Sequence, residues 1–166
     1  MRLFREKDFT IGQASDEDIS FCVDTFFKAM DGQPISKEAL EQTLRSPNVI
    51  VLMAKIKKKI VGMISGVALP PPMTPRIDLL SVIDEESARK GLHGKLIDEL
   101  VDELKRRLPR VKYIDTTIPA LNPQFVATYS MKGFNVVGFI RGDPSGNDSV
   151  ILRKNLSSQR PTGFSV

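Results

Sequence analysis

The chain has 166 residues, 41% of them hydrophobic and 27% charged, which is the composition of a soluble protein with one hydrophobic core. It contains no apolar run of about 20 residues and no apolar stretch behind its charged start, so it predicts neither a membrane span nor a secretory signal. We therefore expect a cytoplasmic location without a membrane partner. A single cysteine excludes an internal disulfide and a cysteine-rich metal site, and one histidine adds little for metal binding. We predict no metal, and a magnesium site made of carboxylates alone stays open as the alternative.

Basic residues outnumber acidic ones by 24 to 20, which gives a net charge of +4 and suits an anionic ligand. They form no concentrated stripe and are accompanied by no aromatic stacking platform, so we predict no nucleic-acid partner. The longest basic run, Lys55 to Lys59, lies between two apolar segments and is predicted to be an exposed hairpin turn.

Apolar periodicity and capping residues predict the secondary structure. Ser15 and Ser36 are expected to cap the first two helices, with a break over residues 31–34, and Gly133 to end the last helix. Cys22 falls on the apolar stripe of the first helix, so we interpret it as a buried small hydrophobe rather than a nucleophile. The predicted elements are a strand over 9–14, helices over 16–30 and 37–44, strands over 49–56, 60–69 and 76–83, a helix over 92–108, a strand over 111–118, a helix over 123–132, and strands over 134–140 and 150–154.

The strand–helix–strand segment from 76 to 118 predicts a βαβ unit with parallel strands. We therefore predict an α/β (α+β mixed) fold in which a mixed, mostly antiparallel sheet is flanked by helices. The predicted element order is β-α-α-β-β-β-α-β-α-β-β. One domain is expected to span residues 1–155, followed by a flexible tail over 156–166.

The helix that begins near Leu92 has cations where a helix N-terminus is already positive and normally favours acidic residues. Free backbone N–H groups at such a start form an anion site, and a bound phosphate would offset the repulsion between the cations. In the alternative interpretation, the acidic residues at 84–86 supply the compensating charge. The glycines and cations concerned are Gly91, Gly94, Arg89, Lys90 and Lys95.

This stretch contains neither a Walker loop nor a G-x-G-x-x-G dinucleotide fingerprint. Residues 88–93, Ala-Arg-Lys-Gly-Leu-His, instead resemble the pyrophosphate-binding loop of the GCN5-related N-acetyltransferase (GNAT) family, written [QR]-x-x-G-x-[GA] before a helix. Ala88 and His93 depart from that pattern.

A second motif carries the same resemblance. Asn122, Ala127 and the run 129–134, Tyr-Ser-Met-Lys-Gly-Phe, are similar to the family's N…A…Y-E-K-x-G-F signature after the fifth strand. Together with the element order, the resemblance covers Phe9 to Lys154.

The resemblance implies an acyl-CoA N-acyltransferase-like fold in which the fourth and fifth strands separate and the pantetheine arm of acetyl-CoA lies between them. Backbone N–H groups at the helix start would hold the pyrophosphate, the fourth strand would present main chain to the pantetheine, and Tyr129 would lie near the sulfur. The residues implied to bind acetyl-CoA are Ser81, Val82, Ile83, Arg89, Lys90, Gly91, Leu92, His93, Gly94 and Asn122.

The implied activity is transfer of an acetyl group from acetyl-CoA to a primary amine of a small molecule or peptide, by direct attack on the thioester. Tyr129 would be the general acid that protonates the leaving thiolate; alternatively, it is a core tyrosine whose hydroxyl finds a partner. A carboxylate would accept the amine proton. Asp78 is our candidate, and Asp84, Glu85 and Asp115 stay open.

The alternative function is a non-catalytic CoA-binding or regulatory module with the same fold, because Ala88 and His93 alter the loop. His93 itself is interpreted as a partly exposed side chain without a catalytic role. We expect a monomer or a homodimer. The first two helices and the loop Pro70–Pro75 would set acceptor selectivity. The apolar side chains that favour an acceptor with an apolar portion, or belong to the core, are Phe26, Phe27, Met30 and Met73.

Overall fold

The computed structural model describes residues 9–29, 35–144 and 146–157, and these form a seven-stranded sheet flanked by five helices. The strands are β1 (Thr10–Gln13), β2 (Val49–Ile56), β3 (Lys59–Val67), β4 (Arg76–Val82), β5 (Tyr113–Pro119), β6 (Phe134–Ile140) and β7 (Ser149–Asn155). The helices are α1 (Asp16–Ala29), α2 (Lys37–Leu44), α3 (Glu85–Arg89), α4 (Leu92–Arg107) and α5 (Pro123–Met131). The predicted helix break at 31–34 and nearly all of the predicted tail, residues 158–166, lie outside the described residues.

The sheet order is β1-β2-β3-β4-β5-β7-β6, and every neighbouring pair is antiparallel except β4 and β5. The predicted mixed, mostly antiparallel sheet is confirmed. Buried side chains of α4 and α5 pack on one face of the sheet, and those of α1 and α2 pack on the other. No described helix combines the length and the apolar character needed to cross a membrane.

Local capping explains where the first helices begin. The Asp18 backbone N–H donates to Ser15 Oγ at 3.3 Å, and the Ala39 N–H donates to Ser36 Oγ at 3.1 Å, so both predicted caps are confirmed. Gly133, with φ at +84°, ends α5 as predicted. Cys22 has no exposed surface, so its predicted place in the core is confirmed, and burial raises the pKa of its thiol to about 11.

The predicted element order lacked one helix, α3, and placed its residues in a loop. Asp84 caps α3, because the Ser87 backbone N–H donates to its carboxylate at 2.9 Å. Glu85 and Glu86 then occupy the first turn, where the helix dipole favours negative charge. The segment before α4 is therefore a helix of five residues rather than an extended loop.

The strands β4 and β5 pair at two positions and then separate. Arg76 lies opposite Asp115 and Ile77 lies opposite Thr116, and no further pairing joins the rest of these two described strands. The opening predicted between the fourth and fifth strands is therefore confirmed. Among the described strands, this separation leaves one edge of β4 without a partner from Asp78 onward.

Gly66 allows β3 to approach β4 and helix α4 closely. A Cβ at this position would lie 2.8 Å from the Arg76 carbonyl oxygen and 3.0 Å from Leu100 Cδ2. Gly66→Ala should therefore destabilise the fold by about 1–3 kcal/mol and lower Tm by roughly 2 to 12 °C in a thermal unfolding experiment. Gly12→Ala is the matched control, because a Cβ there meets nothing within 4 Å. An unchanged Tm for Gly66→Ala would contradict the close approach.

Candidate active site

A cavity of about 170 Å³ lies between β4 and β5, where the two strands separate. Its walls come from the two strands, from α5 and from a single side chain of α1. The lining residues are Phe26, Asp78, Leu79, Leu80, Thr116, Thr117, Ile118, Pro119, Asn122, Phe125 and Tyr129. The cavity brings together three of the predicted site residues, namely Tyr129, Asp78 and Asn122.

Tyr129 enters this cavity from α5 with only 1% of its surface exposed. Its ring meets Phe134 edge-on, with the ring centroids 5.2 Å apart, so packing fixes the position of the phenol. Burial raises the pKa of the Tyr129 phenol well above its usual range, the negative charge of Asp78 adds to the shift, and a hydrogen bond with Thr116 opposes it. Tyr129 therefore keeps its proton throughout the neutral range.

Asp78 is the first residue of β4 beyond the paired positions. Its carboxylate accepts a hydrogen bond from Arg76 Nε at 2.8 Å, and 31% of its side-chain surface is exposed to solvent. Desolvation raises the pKa of Asp78, and the Arg76 charge and hydrogen bond oppose the shift. The result is a carboxylate with increased basicity in the same cavity as a protonated phenol.

The other carboxylates considered as a base are engaged elsewhere and do not line the cavity. Asp115 forms a bidentate ion pair with Arg153, at 2.7 and 2.8 Å, on the neighbouring strand β7. Asp84 caps α3, and Glu85 pairs with Arg89 at 3.4 Å. Of the four candidates, Asp78 alone contacts the cavity.

The open edge of β4 is where the resemblance placed main-chain contacts to a cofactor. The Ile83 N–H donates to the Val61 carbonyl on β3 at 3.0 Å. Because backbone direction alternates along an antiparallel strand, the N–H and C=O groups of Val82 and Leu80 face the opposite, unpaired edge. Of the three predicted strand residues, only Val82 presents its main chain there. Ser81 and Ile83 are turned toward β3, and Leu80, which was not among the predicted residues, faces the open edge.

The start of α4 has the backbone geometry of an anion site. Gly91 adopts φ +79°, no side chain caps the helix, and the first intrahelical bond runs from the Lys95 N–H to the Gly91 carbonyl at 3.2 Å. The N–H groups of Lys90 and Gly91 already donate to the carbonyls of Glu86 and Ala88. The amides available for an anion are therefore those of residues 92–94, fewer than the predicted set from Arg89 to Gly94.

The cations around α4 have partners within the chain. Arg89 pairs with Glu85 at 3.4 Å and Lys90 with Glu86 at 2.8 Å, while Lys95 Nζ lies 5.1 Å from the centroid of the Phe9 ring. The sequence left open whether an anion or the upstream acidic residues balance this charge. For Arg89 and Lys90, the structure shows that the upstream acidic residues balance the charge. The charge pattern therefore does not by itself indicate an anion site.

His93 lies half-buried against Phe125, with the ring centroids 5.7 Å apart, and desolvation lowers the pKa of its imidazole. A partly exposed His93 is thus confirmed. Gly94 packs beneath Lys132, whose ammonium pairs with Asp98 at 2.5 Å. Asn122 precedes α5 at the N-cap position, makes no side-chain cap bond and lines the cavity.

The apolar residues proposed to contact the acceptor occupy different places. Phe26, 1% exposed, closes the cavity from α1. Phe27 packs near Lys37, and Met73 lines a separate cavity of about 300 Å³ beside the proline loop. Met30 lies outside the described residues.

Sequence reasoning missed Thr116 as a lining residue of the cavity between β4 and β5, because no local signal in the sequence shows where two strands stop pairing.

No family model and no curated protein sequence matches this chain. Solved structures do match it. The ribosomal-protein-S18-alanine N-acetyltransferase from Escherichia coli is 18% identical, with 95% of this chain and all of that chain covered at a TM-score of 0.74. An acetyltransferase of the GNAT family from Streptococcus pneumoniae is 19% identical, with coverage of 90% and 100% and a TM-score of 0.70. The chain has the GNAT fold.

The GNAT fold is also shared by NAA60 from Arabidopsis thaliana, solved in complex with acetyl-CoA. It is 12% identical and gives a TM-score of 0.72, with 90% of this chain and 99% of that chain covered. These TM-scores show a common fold, and the predicted acyl-CoA N-acyltransferase-like fold class is confirmed. Within the described residues, no group of three or more His, Cys, Asp or Glu side chains is placed to hold a metal ion.

Proposed function

We propose that the protein is an N-acetyltransferase that transfers an acetyl group from acetyl-CoA to a primary amine. The observation that carries the proposal is the placement of Tyr129 and Asp78 in one cavity, at the point where β4 and β5 separate. One of these groups is held protonated and the other has increased basicity. Groups with shifted pKa values in the same cleft are typical of general acid–base catalysis.

The residues present fit acetyl-CoA, which would supply the activated acetyl group as a thioester. The unpaired main chain of Leu80 and Val82 is suited to the amide groups of the pantetheine arm. The N–H groups of residues 92–94 would bind the pyrophosphate at the start of α4. Asn122 lines the cavity and would contact the pantetheine.

In the proposed reaction the amine nitrogen attacks the thioester carbonyl, so that a C–N bond forms and the C–S bond breaks. Asp78 accepts the proton that the amine loses, and Tyr129 donates its proton to the departing thiolate. The Arg76–Asp78 hydrogen bond holds the carboxylate in place. Phe26 and Phe125 exclude water from the reacting atoms.

The proposed acceptor is a primary amine of a small molecule or peptide with an apolar portion, which would pack against Phe26. Structural neighbours with this fold include an enzyme named for an alanine of a ribosomal protein and a spermidine N-acetyltransferase. Small-molecule and protein amines are thus both among the acceptors of the fold. The expected domain boundary was residue 155. We further propose that the described residues form one domain that includes Leu156, because its N–H donates to the Lys112 carbonyl at 2.8 Å and its side chain packs against the core.

Thermal unfolding with acetyl-CoA, CoA, ATP, NAD and single-stranded RNA tests the proposal. Acetyl-CoA and CoA should raise Tm by about 5 to 10 °C at a concentration of about 100 times Kd, since a ligand that binds only the folded state stabilises it. ATP, NAD and RNA should have little effect. No shift with either CoA species at millimolar concentration would contradict CoA binding.

Gly94→Glu is the variant matched to this experiment. A carboxylate in the first turn of α4 repels the pyrophosphate, so the acetyl-CoA shift should be lost. Gly12→Glu adds the same charge on the exposed strand β1 and should keep the full shift. Release of free thiol with a panel of amines then separates an enzyme from a module that binds CoA without catalysis.

A further inference from the structure

A second cavity, of about 300 Å³, lies beside the proline loop that precedes β4. It is lined by residues 71–75 of this loop and by residues 110–113, which lead from α4 into β5, and we call it the proline-loop cavity. It shares no lining residue with the cavity that contains Tyr129 and Asp78, which lies further along the same two strands. The proline-loop cavity is therefore a separate feature of the fold.

The walls of the proline-loop cavity are held in place by the chain itself. A proline ring fixes φ, so a loop with prolines at 70, 71, 72 and 75 has little backbone freedom to lose when a ligand binds. The Met73 N–H donates to the Pro70 carbonyl at 3.1 Å. The Asp115 N–H donates to the Pro75 carbonyl at 3.0 Å, which ties the end of the loop to β5. The cavity is therefore formed before any ligand enters.

The lining is mainly apolar and includes one aromatic ring. Prolines form one wall, and Met73 and Tyr113 are two of the large apolar residues that the fold leaves exposed. The Arg153 guanidinium lies 5.2 Å from the centroid of the Tyr113 ring and is itself paired with Asp115, so contacts within the sheet hold this ring in place. Proline and tyrosine rings both offer flat faces, so this lining suits a flat apolar ligand.

The charge of the lining is positive. Arg110 and Lys112 are exposed, and no acidic residue lines the cavity with them. In the part of the chain that the structure describes, no carboxylate forms an ion pair with either side chain. Arg89 and Lys90 at the start of α4 differ in this respect, because each has an acidic partner. The two cations of the proline-loop cavity therefore complement an organic anion.

We propose that the proline-loop cavity is a second ligand site that binds an aromatic carboxylate. The aromatic ring lies against Tyr113 and the prolines, and Arg110 and Lys112 bind the carboxylate. The site goes beyond the proposed acetyl transfer and does not depend on it, because none of its residues is assigned to acetyl-CoA or to the transfer.

NMR titration with cinnamate, compared with its neutral isostere cinnamamide, tests the proposal. In protein with isotope-labelled methionine methyl groups, the Met73 signal, assigned by its loss in Met73→Leu, should shift with cinnamate. The signal of Met131, which is exposed on α5 outside the cavity, should not. The expected Kd is about 3 mM or tighter for a ligand of this size, and the amide should bind about 10-fold more weakly or worse. A Met73 signal that did not move at about 20 mM cinnamate, or equal affinities for acid and amide, would overturn the inference.

The variant Arg110→Gln with Lys112→Gln should weaken cinnamate binding by about 10-fold or more, since it removes both cations. Lys58→Gln with Lys59→Gln is the matched control, because it removes the same charge at exposed positions between β2 and β3. The control should keep the Kd of the parent protein, and Tm values check that both double variants fold. An unchanged Kd in the first variant would overturn the inference.

Acetyl-CoA distinguishes the second site from the first. A saturating concentration of acetyl-CoA should leave the cinnamate-induced shift of Met73 in place. If acetyl-CoA displaced cinnamate, the carboxylate would lie in the acetyl-CoA site and the inference would be overturned. A protein that bound cinnamate at Met73 but transferred no acetyl group would contradict the proposed function and support the second site.

Discussion

Tyr129→Phe is expected to lower kcat for acetyl transfer by about 100-fold to 10,000-fold, with little change in the affinity for acetyl-CoA. The substitution removes one buried hydroxyl and keeps the ring that packs against Phe134. Since the raised pKa keeps the phenol protonated, the parent protein has a proton ready for the departing thiolate and the variant has none. Single-turnover kinetics with a saturating amine, together with the Tm shift given by acetyl-CoA, measure the two effects separately.

Tyr113→Phe is the matched control for this substitution. Tyr113 lies at the start of β5 with 40% of its surface exposed and does not line the cavity that contains Tyr129, so its loss should leave kcat unchanged. If Tyr129→Phe also retained full turnover, Tyr129 would be a core tyrosine and the acid would have to be sought elsewhere.

Asp78→Asn is expected to lower kcat by about 100-fold at neutral pH, because an amide cannot accept the amine proton. The pH dependence gives the sharper test. A protonated Asp78 is inactive as a base, so the rate of the parent protein should fall as the pH falls through the pKa of Asp78, which desolvation places above its ordinary value of 3.8. In Asp78→Asn this acidic limb should disappear. Both proteins are compared with the same amine, so that the acceptor's own titration is common to both.

Asp115→Asn is the control, since Asp115 was also a candidate base and is paired with Arg153. It should keep the acidic limb of the parent protein. If the acidic limb persisted in Asp78→Asn and vanished in Asp115→Asn, the base would be Asp115 on β5 rather than Asp78 on β4.

Signals that act over a few residues explain why much of the fold follows from the sequence. Ser36 and the apolar spacing after it predict α2 at its observed bounds, and the apolar alternation predicts β2 and β6 at theirs. Tyr129 and Asn122 were placed by a motif, also a local pattern. That these two residues line the same cavity as Asp78 could be predicted only from the fold that the resemblance implied.

The remaining features depend on contacts between distant residues. The point at which β4 and β5 separate is set by a pairing across 39 positions of sequence, between Ile77 and Thr116, and no local pattern encodes it. The partners of Arg89 and Lys90 are a different case. Their acidic partners lie four residues upstream, but the i,i+4 pairing is recognisable only once α3 is known to be a helix.

The position of β7 has a consequence for synthesis on the ribosome. β7 follows β6 along the chain and yet lies between β5 and β6, so within the described sheet β6 has no strand to pair with until β7 has been made. Phe134, the first residue of β6, is the ring against which Tyr129 packs. The candidate acid is therefore among the last groups to reach its final environment. A nascent chain that stops before Ser149 contains both candidate catalytic residues. It lacks β7, the strand that joins β6 to β5 and so completes the packing of Phe134 against Tyr129.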